Sequence, residues 1–169
     1  AGSFGTGIQI RAGNASADFI IDINGYYSYG PGPGNIVLGE NALGDNTTGS
    51  NNVAIGSAAA AFNETGSSNV AIGTTTLLSA RTASNNTGVG YSALFSATGG
   101  NNTAVGYNAG PNITTGTGNI LIGPNAGSAI NSGSNNILIG SNGSVNESNT
   151  IRIGDAANQN NTVIVGIAG

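Results

Sequence analysis

The chain writes "NNVAIG" at 51–56, "SNVAIG" at 68–73, "NNTGVG" at 85–90 and "NNTAVG" at 101–106. In each copy a polar pair ending in Asn precedes three residues of strand character and a Gly. The same grammar runs in both directions along the chain. The glycines that close the units are Gly39, Gly56, Gly73, Gly90, Gly106, Gly123, Gly140, Gly154 and Gly166, spaced by 17, 17, 17, 16, 17, 17, 14 and 12 residues. A near-constant period over most of a chain marks a solenoid, in which each unit buries its apolar face only against its neighbours. Helix is implausible, because Gly and Asn interrupt every apolar run and no helical periodicity survives. Each unit therefore reads as a coil of short strand and turns, with Asn and Gly supplying left-handed backbone at the corners.

Stacked coils place equivalent residues in ranks ~4.8 Å apart. The first rank reads Ile36, Val53, Val70, Thr87, Thr103, Ile120, Ile137, Ile151 and Val163, and the third reads Leu38, Ile55, Ile72, Val89, Val105, Ile122, Ile139, Ile153 and Val165. Strand alternation puts these two ranks on one face, expected to be the core. The middle rank, Val37, Ala54, Ala71, Gly88, Ala104, Leu121 and Leu138, then turns outward, and only its next member, Arg152, is charged. Strands apolar on both faces are covered on both. The middle rank is thus expected to line an interface between copies of the chain, its small residues allowing close approach. The repeated Asn are expected to pair amide to amide along the axis.

Composition narrows the function. Only 6% of the 169 residues are charged, there is no Lys, and the three Arg (Arg11, Arg81, Arg152) lie far apart. That removes the basic footprint of a nucleic-acid binder. No apolar run approaches the ~20 residues of a membrane-spanning helix, so no membrane insertion is expected. With no His and no Cys, a Ser-His-Asp triad, thiolate catalysis and the common zinc sites are excluded. The lack of Lys removes a P-loop or Schiff base. Asp18 and Asp22, the nearest same-face carboxylates, would stand ~13 Å apart on a strand, too far for a glycosidase pair. The expectation is a protein that is not an enzyme and carries no cofactor or metal. Its Asn-, Thr- and Gly-rich, Lys-free surface leans toward an extracellular or cell-surface setting.

Two further features stand out. Asn-x-Ser/Thr sequons begin at Asn14, Asn46, Asn63, Asn85, Asn101, Asn112, Asn142, Asn146 and Asn160, possible glycosylation sites. Asn46, Asn63 and Asn112 fall in one loop of different coils, where they are expected to be exposed. Residues 1–33 do not fit the repeat. In "DFIIDINGYY" (18–27) Phe19, Ile21 and Ile23 alternate with polar or apolar neighbours, Tyr26 and Tyr27 follow, and "GPGPG" (30–34) reads as a hinge. This short strand segment either caps its own first coil or acts as a connector on the open edge "TVIVGIAG" (162–169) of the next copy. The absence of charged blunting at either end favours the connector slightly. The division expected is an N-terminal connector at 1–33 and a solenoid domain at 34–169.

These "NNVAIG"-type units resemble the left-handed parallel β-roll of YadA-like heads in trimeric autotransporter adhesins, over about residues 34–154. The end, "NTIRIGDAANQNNTVIVGIAG" (149–169), is similar to the run-out of such repeats in secreted and phage-fibre proteins. The resemblance implies an all-β, left-handed β-roll of about eight to nine coils. It also implies a homotrimeric, surface-displayed rod that sticks to extracellular matrix or to other cells. Two expectations follow. One is a self-associating rod whose partner is itself, as a trimer or a head-to-tail filament that builds a fibre. The other is a trimeric adhesin head that binds host matrix or glycan without polymerising.

Overall fold

The structure, a computed structural model, describes residues 32–155 and residue 159. It holds eight three-residue strands: β1 (Ile36–Leu38), β2 (Val53–Ile55), β3 (Val70–Ile72), β4 (Thr87–Val89), β5 (Thr103–Val105), β6 (Ile120–Ile122), β7 (Ile137–Ile139) and β8 (Ile151–Ile153). They form one parallel sheet in chain order, and among the described residues there is no helix. Equivalent positions pair throughout: Ile36 with Val53, Thr87 with Thr103, Ile137 with Ile151. The all-β solenoid expected from the period is therefore the fold, with about seven turns between β1 and β8. The ninth repeat, the connector residues Phe19, Ile21, Ile23, Tyr26 and Tyr27, and the terminal sequons Asn14 and Asn160 lie outside the described residues.

Backbone bonds tie one coil to the next well beyond the strands. Leu43 N–H donates to the Ala59 carbonyl at 2.9 Å, Asp45 to Ala61 at 2.9 Å and Thr47 to Glu64 at 2.8 Å. The corners need unusual backbone. Gly90, with φ of 134°, ends β4, and a Cβ there would collide with the Gly106 carbonyl of the next coil. Two residues further on, the corner is left-handed in every coil from Asn41 (55°) to Asn125 (56°), including Thr75 at 54°.

The middle rank is the core, not the outer face. Val37, Ala54, Ala71, Ala104, Leu121 and Leu138 are all buried, and a Cβ on Gly88 would press on Thr76 and Leu77. The expectation that Val37, Ala54, Ala71, Gly88, Ala104, Leu121 and Leu138 line an interface between copies is corrected accordingly. Ala54, Ala71, Gly88 and Ala104 are small because other interior side chains fill the space. In the third and fourth coils Ala71 and Gly88 share the interior with Leu77 and Leu94. In later coils Leu121 takes the volume that a side chain at Gly110 or Gly127 would need, beside Ile113 and Ile130. Volume is conserved while the residue that supplies it changes, as close packing demands.

The corner preceding each strand is closed by a buried Asn rank: Asn35, Asn52, Asn69, Asn86, Asn102, Asn119 and Asn136. Each Oδ1 accepts the backbone N–H of the residue one coil on, at 2.8–3.1 Å, ending at Thr150. The dominant contact is thus amide to backbone. Amide-to-amide bonds join only Asn119 to Asn102 and Asn136 to Asn119 in this rank, each at 3.0 Å. A second, shorter rank pairs Asn63 Nδ2 with Asn46 Oδ1 at 2.7 Å. It stops where Ala80 replaces Asn, and Asn63 Oδ1 has no hydrogen-bond partner.

The last described rung is charged. Arg152 stands in register with Leu138 and donates through Nε and Nη2 to Glu147 Oε2, each at 2.8 Å. The ends at 1–31 and 160–169, where charged blunting is expected to be absent, lie outside the described residues. The guanidinium bond holds the Glu147 carboxyl below its ordinary value of 4.5, against a smaller opposing effect of burial.

Two outcomes follow. Asn102→Ala strands the Asn119 N–H and the Gly116 carbonyl, and should lower urea stability by about 1–3 kcal/mol. Exposed Asn131→Ala should change it by less than about 0.5 kcal/mol. Because the folded Glu147 value is depressed, its stabilisation is whole above the unfolded value and is lost as pH falls through the folded one. Hydrogen-exchange protection at Gly154, whose N–H donates to the Ile139 carbonyl, should therefore weaken below about pH 4 relative to mid-stack amides, and Glu147→Gln should abolish that difference.

Candidate interaction face

With the middle rank inside, the first and third ranks point outward. Ile36 is 49% exposed and Val105 40%, and Ile72, Ile120, Ile122, Ile139, Ile151 and Ile153 are also exposed. The remaining members, among them Leu38, Val53 and Val89, are half-buried by their neighbours along the ranks. The result is a flat strip of β-branched side chains, two ranks wide and eight rungs long. At ~4.8 Å per rung and ~6.6 Å between ranks, with side-chain width added, its area is on the order of 500 Å². That equals the largest apolar patch of a typical monomer, which is often a functional surface.

One edge of the strip carries the exposed corner residues that follow the strand-ending Gly of the first six coils: Glu40, Ser57, Thr74, Tyr91, Tyr107 and Pro124. Tyr91 and Tyr107 are 52% and 59% exposed. Their rings stack on each other, 5.5 Å between centroids and 11° between planes. Each covers a face of the other, so the pair presents ring edges and hydroxyls outward. Sequence reading passed over both tyrosines. The available signal was their identical place in successive coils.

The sequons divide by burial. Asn46 and Asn63 are buried, with Nδ2 donating to the Gly49 and Gly66 carbonyls. Their expected exposure is corrected: the loop folds these amides inward to satisfy the backbone at the corner. Asn85, Asn101, Asn112, Asn142 and Asn146 are exposed. Elsewhere on the surface, Arg81 pairs with Glu64 and lies over Phe62 at 6.0 Å. Among the described residues no cluster of carboxylates could hold a metal ion, and no helix is long and apolar enough to cross a membrane. No family model, curated protein or solved structure matches this chain.

Adjacent residues on β5 should respond oppositely. Ala104→Leu overfills the interior and should cost about 1–3 kcal/mol, whereas Val105→Leu should stay within about 0.5 kcal/mol in the same denaturation assay. Peptide mapping of native material should find no glycan on Asn46 or Asn63, whatever the occupancy of the exposed sequons.

Proposed function

We propose that this chain is a structural and adhesive rod of the cell surface or extracellular space that self-associates laterally through its two-rank apolar strip. The observation that carries the reading is the strip itself. It is continuous, flat and free of charge from Ile36 to Ile153, and leaving it in water is costly at ~25 cal/mol per Å². A second copy is the partner that matches its pitch. Two strips of this size bury about 1,000 Å², the lower bound for a specific interface. The likeness of the "NNVAIG" units to YadA-like head repeats points the same way, as does a Lys-free surface rich in Asn and Thr. In the alternative reading, the same assembly is an adhesin head that recognises matrix or glycan and does not polymerise further.

Sedimentation equilibrium of the intact chain should show an oligomer. Ile72→Lys together with Ile122→Lys should dissociate it while leaving the β circular-dichroism spectrum unchanged. A wild-type monomer at all accessible concentrations would remove this reading. Electron microscopy separates the two forms: fibres indicate a structural polymer, and discrete rods of ~34 Å or somewhat more indicate a head.

A further inference from the structure

The strip repeats every ~4.8 Å, so a copy docked on it could slide by one rung and still bury β-branched side chains. Something must break that degeneracy if one assembly is to form. The non-repeating properties are polarity and bulk at the two edges. On the fourth and fifth rungs the leading edge carries hydroxyls, Thr87 and Thr103, and the trailing edge is large, Tyr91 and Tyr107. On the second and third rungs Val53 and Val70 lead, and Ser57 and Thr74 trail. The two aromatic trailing residues thus share rungs with the hydroxyl-bearing leading ones.

Two faces can meet in two ways. Turning the second copy about the solenoid axis lays trailing edge on leading edge at equal height, so each Tyr meets a Thr. Turning it end over end lays trailing edge on trailing edge, and four exposed Tyr rings crowd one place. A one-rung slip of the first arrangement sets Tyr107 against Ile120, or Tyr91 against Val70. We propose that Tyr91 and Tyr107 set the axial register of self-association, seating on Thr87 and Thr103 of a neighbouring, parallel copy. This rests on the strip being the self-association surface. The stacked pair suits the task, because each ring restrains the other and the seat loses little side-chain freedom on docking.

The chain has no Cys, so single-Cys copies give clean disulfide trapping. Ser57→Cys would be mixed in turn with Ile36→Cys, Val53→Cys and Val70→Cys, in otherwise intact chains, under mild oxidation. A rung offset of ~4.8 Å carries a facing Cα pair past the ~7 Å limit for a disulfide. Val53→Cys, on the same rung, should therefore cross-link about fivefold or more over the others. In a Tyr91→Ser/Tyr107→Ser background the three yields should even out while the oligomer persists. If wild type is an oligomer but the yields are equal, or favour Ile36→Cys or Val70→Cys, the register assignment is overturned and self-association stands. The assignment also falls if the same-rung preference survives loss of both tyrosines. If wild type is monomeric, the underlying reading fails first and takes the register with it.

Discussion

Every coil of this protein is hydrogen-bonded to the next along its backbone, and that ladder constrains everything else. Because Ile36 N–H reaches the Asn52 carbonyl and Thr103 N–H the Asn119 carbonyl at the same 2.8 Å, equivalent residues must lie directly above one another. A residue type tolerated once must then be tolerated in a column. A Gly at the strand end is needed in each coil from Gly39 to Gly106, since its neighbour one coil on is a backbone carbonyl rather than a yielding side chain. Asn succeeds as a buried polar residue for the same reason. In the rank from Asn35 to Asn136 its Oδ1 finds a backbone N–H one coil on, so the cost of burying an amide is offset along the axis.

A coil of this length encloses a narrow interior, which admits one side chain per strand. The others must come from the corner and loop. That limit makes the strand's lone middle residue the core residue and forces its two β-branched companions outward. The outer strip is therefore a geometric consequence of a thin coil. The solenoid is stabilised from within by Leu77, Leu94, Leu121 and Leu138 and still presents an apolar surface of interface size. A fold that cannot hide its larger strand residues leaves them as a continuous outer face, the surface on which the proposed self-association rests.

The period, the all-β class, the parallel register and the position of every described strand were legible in the sequence, because each depends on local chemistry. Gly and Asn punctuation sets the corner, and the spacing between corners sets the coil. The burial of Asn46 and Asn63 was not legible. A sequon in a polar loop looks exposed, and only the neighbouring carbonyls of Gly49 and Gly66 show why the amide turns in. The pair Arg152–Glu147 was hidden too, since the coil before β8 is shortened to 14 residues and departs from the regular repeat.

What the sequence alone determined is the partition of each strand: first and third residues on one side, second on the other, a result of two-residue alternation that no packing can change. Which side faces in was decided only by tertiary structure. Alternation is symmetric between inside and outside, and bulk favours the wrong answer, because two large residues outvote one Ala. The deciding quantity is the volume left inside a coil by Leu77, Leu94, Ile113 and Ile130, residues that come from outside the strands. Their inward direction exists only once the chain has closed its turn.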